Sequence, residues 1–395
     1  MKLLLAIIFS TIMLCCVAQQ RLTIPTAKRI TQFPFTMLTG GTVIIQAQLD
    51  GIADTLNFVL DTGSGGISLD SSTVENLQLK RSKSERTIRG IAGVRKVDFV
   101  YKHSLKLQGL MVDSLDFHIN NYDILTAAYG IKIDGVIGFS FLRRYIVKVN
   151  YDEHLIQVYS PGSIKYPSSG YILHPNFTSL AVINNNIFDH TQSRGSFIFD
   201  TGAGLNMLLS NDYVADSAVL HKKRKQFTTQ AEGLGGKKIM NLTVLRKVTV
   251  GPYKFRWVPV YIFNDDYNVT SYPQTDGVIG NDILRRFNLI INYPNKEIHL
   301  KPNTHFYDDF DYSYTGLGLY QINGEIVVEN VIEKSPGDKA GFKQNDLIFA
   351  VDNNFTHSLQ AYKQALQNAG NTIKVLVMRN GEALMLNLEI QHIMH

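Results

Sequence analysis

The chain has 395 residues, 45% of them apolar and 18% charged, with 21 Phe, 19 Tyr and a single Trp. This is a globular composition, too long for one ordinary domain and rich enough in aromatic volume for several packed cores. The formal net charge is +5, and its one dense basic run, residues 221–225 (HKKRK), lacks interleaved aromatics, so it reads as a solvated loop and no nucleic-acid partner is expected.

Residues 1–18 read as a secretory signal, with Lys2 as a short basic start, an apolar core over 3–14 and a small-residue cleavage site at 16–18. Spanning a bilayer takes about 17 or more apolar residues. This run is shorter and lacks a basic stop flank, so no stable span is expected after cleavage, and the protein is expected to be exported (periplasmic, cell-surface or extracellular). A lipoprotein would require acylation of Cys16 behind Cys15, a poor preceding residue. Cys15 and Cys16 are the only cysteines, and their loss with the signal would leave no disulfide, no metal thiolate and no cysteine nucleophile. No cofactor or metal is expected. Residues 19–35 are a short candidate propeptide.

From there to about residue 300 the chain is almost all short β-branched and aromatic runs punctuated by Gly, Asn, Asp and Pro. Few helices are predicted: 70–77 and the short segments after each copy of a DGVIG motif. Residues 58–64 read FVLDTGS and 197–203 read FIFDTGA; residues 134–144 read DGVIGFSFLRR and 276–286 read DGVIGNDILRR. Asp61 precedes Asp134 by 73 residues, and Asp200 precedes Asp276 by 76. Order, spacing and sequence recur, which marks an internal duplication. Between these anchors lie Gly90 and Gly93 in the first half and Gly233, Gly235 and Gly236 in the second, each group followed by strand-like residues. Glycine-centred hairpins are predicted there.

Residues 302–314 (PNTHFYDDFDYSY) are acidic, aromatic and aperiodic, and read as a linker. Beyond them the pattern is compact α+β. Strands over 316–322 and 325–332 join through Asn323-Gly324, Ser358 caps a helix over 359–367, and a second hairpin turns at 379–381. The expected division is signal 1–18, first lobe 19–165, second lobe 166–303, linker 304–314 and C-terminal domain 315–395.

Two carboxylates held about 3 Å apart cannot both ionise and share one proton. The ionised member can take a proton from water while the protonated one hydrogen-bonds a substrate carbonyl, without a covalent intermediate. The apolar strands before Asp61 and Asp200 would bury such a pair. Thr62 and Thr201 can exchange hydrogen bonds across it, and Gly63 and Gly202 allow the tight turn. Ser64 can donate to Asp61 where Ala203 cannot donate to Asp200, which favours charge on Asp61. A lone Asp-Thr-Gly arises by chance in about one chain in ten of this length; two copies with matched flanks and matched downstream motifs do not reduce to β-turns.

These motifs, with Val136-Ile137-Gly138 and Val278-Ile279-Gly280, resemble the pepsin/retropepsin superfamily of aspartic peptidases over residues 40–300. The resemblance implies a mainly β, two-lobed fold of acid-protease β-barrels, catalysis by Asp61 and Asp200, and a polypeptide substrate lying extended under a flap. A pepsin-type flap carries a tyrosine near its tip, and neither 88–95 nor 231–238 has one. The chain therefore resembles a fused retropepsin dimer more closely, with a flap candidate in each half. The arginine pairs 143–144 and 285–286 read as surface or lobe-packing residues.

Residues 316–390 resemble a PDZ domain, through Gly316-Leu317-Gly318-Leu319 and the segments 335–342 and 344–348. The resemblance implies that the Gly-Leu-Gly-Leu amides receive a peptide's C-terminal carboxylate while Leu359, Tyr362 and Leu366, with Lys363, line the groove. A packing module without ligand is the alternative. For the whole chain, the expectation is an aspartic endopeptidase hydrolysing peptide bonds. The alternative is a non-catalytic peptide-binding or sensor protein keeping the fold. A serine protease lacks a supported nucleophile, since the nearest candidate, residues 65–68, has no accompanying pattern, and no HExxH motif marks a metalloprotease.

Overall fold

The computed structural model describes residues 24–270 and 274–394. The expected signal, with Cys15 and Cys16, lies outside the described residues. Among those that are described, no helix is long and apolar enough to cross a membrane.

Each half of the duplication closes a six-stranded barrel. In the first, strands run Val43–Leu49, Leu56–Leu60, Gly135–Ile137, Ile67–Asp70, Leu110–Asn120 and Phe99–Leu107, and the last pairs back onto the first. The second repeats this with Ala181–Phe188, Gln192–Phe199, Gly277–Ile279, Met207–Ser210, Tyr253–Phe263 and Gly236–Val250. The central strands Ile67–Asp70, Gly135–Ile137, Met207–Ser210 and Gly277–Ile279 are buried at every position, which explains their short, largely apolar runs. The expected helix at 70–77 is Ser71–Asn76, capped by the Asp70 side chain. Two further helices, Asp123–Tyr129 and Asn211–Ser217, are not among the predicted elements.

A separate six-stranded sheet joins the lobes. At its centre Ile146–Asn150 runs antiparallel to Phe287–Asn292, with Val147 opposite Ile291, Lys148 opposite Ile290 and Val149 opposite Leu289. Arg29–Pro34 forms one edge by pairing with Leu155–Tyr159, and Phe33 and Phe35 are buried in the common core. The described C-terminal part of the candidate propeptide at 19–35 is an edge strand of the joining sheet, so cutting after residue 35 would remove that edge.

The C-terminal domain is a five-stranded sheet ordered Leu317–Ile322, Glu325–Val331, Leu347–Val351, Thr372–Arg379 and Glu382–Glu389, with the helix Leu359–Ala365 over its own core. The linker expected at 304–314 is instead a docked strap. Phe306 and Phe310 pack on the lobe core, and the buried Arg286 side chain donates to the Asp308 and Asp309 carbonyls while stacking on Phe310 at 4.0 Å. Ser313–Tyr314 then pairs with Gln391–His392. Aromatic residues that show no period in the sequence find an apolar seat between the domains.

Candidate active site

Asp61 and Asp200 stand at the ends of the buried strands Leu56–Leu60 and Gln192–Phe199. Each strand is clasped by the DGVIG segment of its own half. Val136 lies parallel to Val59, and Val278 to Ile198. The Asp61 and Asp200 amides donate to the Ile137 and Ile279 carbonyls, both at 3.0 Å. The acids of DGVIG act as braces: Asp134 accepts from the Asn57 amide and the Thr73 hydroxyl, and Asp276 from the Ser196 amide.

The loops after the aspartates interlock. The Thr62 hydroxyl accepts from the Thr201 amide at 2.9 Å and donates to the Phe199 carbonyl at 2.6 Å. In return the Thr201 hydroxyl accepts from the Thr62 amide at 3.1 Å and donates to the Leu60 carbonyl at 2.9 Å. Both side chains are essentially out of solvent, so these four bonds form in a dry environment. They fix the two carboxyl groups face to face, and the pair shares a hydrogen bond. A side chain at Gly63 would overlap the Asp200 carboxyl group, and one at Gly202 would overlap that of Asp61, so neither position has room beyond glycine.

Burial pushes both carboxyls above the ordinary range. Asp61 rises well above it, because the charge of Asp200 adds to the burial, and the Gly63 and Ser64 amides only partly offset this. Asp200 is raised by burial as well, although its hydrogen bond with Asp61 and the Gly202, Ala203 and Gly63 amides favour its charged form. The Gly202 and Ala203 amides reach Asp200 at 2.7 and 3.1 Å, and the Gly63 amide reaches Asp61 at 2.6 Å. The two carboxyls titrate as one pair, and both loops supply amides to it. Among the described residues the Ser64 hydroxyl makes no hydrogen bond to Asp61; Ser64 contributes its backbone N–H.

The glycine-rich segments form two hairpins that meet tip to tip. Thr87–Gly90 pairs with Gly93–Lys96, and Phe227–Gly233 with Gly236–Val250. The Ala92 amide donates to the Leu234 carbonyl at 3.3 Å and Arg95 donates to that of Gly235 at 2.8 Å. Their tip side chains cross over. Ile91 of the first half packs into the second-half cluster of Ile198, Leu208 and Val278. Leu234 of the second half packs into the first-half cluster of Val59, Tyr122 and Val136.

Tyr129 and Tyr293 are the residues that sequence reasoning missed. The Tyr293 hydroxyl donates to the Thr62 carbonyl at 3.4 Å, and its ring sits between Phe139 and Phe177. Tyr129 ends the unpredicted helix, with its hydroxyl 3.2 Å from that of Thr42, beside Gly204 in the Asp200 loop. Asp123 at the start of that helix and Gly130, left-handed at its end, were readable start and stop signals.

The residues expected to line a peptide groove in the C-terminal domain have partners within the chain. Leu359, Tyr362 and Leu366 belong to its interior cluster together with Leu319, and the Tyr362 hydroxyl is spent on the Phe349 carbonyl at 2.8 Å. The Leu317 amide already donates to the Thr315 hydroxyl at 3.2 Å, and Gly316 is packed against Ser335. Gly318 is half-buried. Gly130 of the first lobe lies against both Leu317–Ile322 and Leu359–Ala365. A Cβ on Gly130 would lie 2.7 Å from the Gln321 side-chain oxygen and 3.0 Å from Leu359.

A family model described as aspartyl protease matches residues 45–141 and 183–283, one match to each barrel. A second, described as PDZ domain, matches residues 313–390. No curated protein matches the chain.

Proposed function

The chain belongs to the aspartyl protease family and carries a PDZ domain, and on that premise we propose that it is an exported endopeptidase that hydrolyses peptide bonds with Asp61 and Asp200. The observation that carries this reading is the pair of carboxyls sharing a hydrogen bond above the interlocked threonines. The pair shares one proton, and its ionised member is the base. It takes a proton from water as the water oxygen attacks the scissile carbonyl carbon, while the protonated member donates to the carbonyl oxygen. The resulting gem-diol collapses as a proton passes to the amide nitrogen, the C–N bond breaks and an acid and an amine leave. The low dielectric around the pair strengthens both interactions.

Apolar clusters flank the pair, one in each lobe, and each is roofed by the other half's hairpin tip. An extended substrate must displace at least one of those tips and would place an apolar side chain where that tip's Ile91 or Leu234 now sits. Export rests on the N-terminal segment alone. A peptide tail at the PDZ groove would first have to displace Gly130.

The test is cleavage of a mixed peptide library from about pH 3 to 8, read as new termini by mass spectrometry. Asp61→Asn and Asp200→Asn are each expected to abolish cleavage, and a statine-type transition-state mimic to block the wild type. Wild-type turnover in either variant, or peptide binding without new termini at any pH, would overturn the reading.

A further inference from the structure

The two hairpins over the aspartates look equivalent in sequence but differ in what holds them. The first is tied within its own lobe and to the second, through Lys96 to Glu85 and Arg89 to the Asn268 carbonyl. The second is bolted to the PDZ domain. Tyr320, on the edge strand Leu317–Ile322 and almost fully buried, donates its hydroxyl to Glu232 and accepts from the Gln230 amide group at 2.9 Å. On the return strand of the hairpin, Lys237 pairs with Glu329 at 2.8 Å and lies 4.7 Å over the Tyr320 ring. The same hairpin carries Leu234 at its tip.

The other wall of the PDZ groove grips the first lobe. The Gln360 side-chain oxygen accepts from the Thr39 amide at 2.9 Å and the Thr39 hydroxyl at 2.6 Å, and its nitrogen donates to the Tyr129 carbonyl at 2.7 Å. Lys363 donates to the Ala128 carbonyl at 2.5 Å. Thr39 opens the turn whose Gly40 packs against Gly204, and the Tyr129 hydroxyl faces Gly204 as well. From Gln360 to the Asp200 loop there is thus one intervening layer.

We infer that the PDZ domain is a structural part of the substrate cleft, with Tyr320 and Gln360 as positioning residues: Tyr320 holds the second hairpin at the height where Leu234 roofs the first-lobe cluster, and Gln360 holds Tyr129 and Thr39 against the Asp200 loop. This rests on the peptidase reading and extends it. The edge strand and helix that would otherwise clasp a free peptide clasp residues 128–130 of the same chain. The first hairpin, which has no such tie to the PDZ domain among the described residues, is then the one that moves to admit substrate.

The test uses the full chain and five variants: Tyr320→Phe, Glu232→Ala, their double, Glu232→Gln and Gln360→Ala. Tyr320→Phe keeps the ring under Lys237 and removes only the hydroxyl. Its expected effect is a rise in KM of about ten- to a hundredfold with kcat within about twofold, the worth of the hydrogen bond to the Glu232 carboxylate, with the bond from Gln230 lost as well. Amide hydrogen exchange over residues 230–236 is expected to quicken by a similar factor while that over 87–96 stays as in the wild type. The double variant is expected to be less than additive, because both singles remove the Tyr320–Glu232 bond, while each also removes a separate bond from Gln230. Glu232→Gln, which keeps the acceptor, is expected to restore wild-type behaviour. Gln360→Ala is expected to quicken exchange over 123–130 and to lower kcat. Unchanged exchange and KM in Tyr320→Phe, or additive effects in the double variant, would overturn the inference. Exchange is read without turnover, so an inactive wild type would sink the peptidase reading while leaving this one decidable.

Discussion

Replacing Thr62 with Val tests whether the interlocked loops hold the halves together. Valine keeps the volume of threonine but leaves the Thr201 amide and the Phe199 carbonyl without the partners they have at 2.9 and 2.6 Å. Both groups are buried, and each orphan costs about 1–3 kcal/mol, so the variant should lose about 2–6 kcal/mol. Thr62→Ser keeps the hydroxyl and deletes one buried methyl, which costs about 0.5–1.5 kcal/mol. Urea denaturation at constant m-value gives both numbers from the midpoint shift. Activity supplies a second reading. Loss of register between Asp61 and Asp200 should lower kcat/KM by about a hundredfold in the valine variant, with the serine variant close to wild type. If the two variants differ in stability by less than about 0.5 kcal/mol, the hydroxyl network is not what secures the centre.

Two further outcomes are expected. Because burial raises both carboxyls, the folded chain binds more protons than the unfolded one between about pH 4, the ordinary aspartate value, and the raised folded values; stability should fall as pH rises through that window. A double Asp61→Asn, Asp200→Asn variant should lose that slope in denaturation midpoints taken from pH 4 to 8. Activity should follow a bell-shaped pH profile whose acid and alkaline limbs report the two titration steps of the Asp61/Asp200 pair. The two arginine pairs should also separate. Arg286→Ala strips the partners from the Asp308 and Asp309 carbonyls and the stack from Phe310, costing about 2–4 kcal/mol. Arg143 is exposed, and Arg143→Ala should shift the denaturation midpoint by no more than about 0.5 kcal/mol.

The duplication and the pairing of Asp61 with Asp200 were legible because they rest on local motifs repeated at one spacing. Features that depend on where distant segments meet were not. Ser64 and Ala203 differ by a hydroxyl that is the visible asymmetry in the sequence; in the fold the turns deliver backbone amides to both carboxyls, and the Ser64 hydroxyl is not among the groups bonded to Asp61. Phe306 and Phe310 lacked any period because they answer to an apolar seat made by residues far away in the chain. Tyr320 and Gln360 look like ordinary residues of a small domain, and only docking onto the hairpin and onto Thr39 gives them partners. The helix ending at Tyr129 is a different case, since its start and stop signals were readable and were masked by the surrounding strand-like composition.

The sheet joining the lobes carries a record of how the chain arose. Aligning the arginine pairs superposes the halves with a shift of 142 residues, which maps Ile290 onto Lys148, Leu289 onto Val147 and Ile291 onto Val149. Under that mapping, Val147 facing Ile291 and Val149 facing Leu289 are one contact seen twice, related by a rotation axis through Lys148 and Ile290. This is the self-complementary contact of a homodimer. In such an ancestor the axial residue would face its own copy, and a lysine there would meet a lysine directly across the strands, which is unfavourable. Covalent joining removes that constraint. Once the two copies are encoded separately, one can keep a lysine while its counterpart becomes isoleucine. The same freedom allowed one hairpin to acquire a PDZ partner while the other did not.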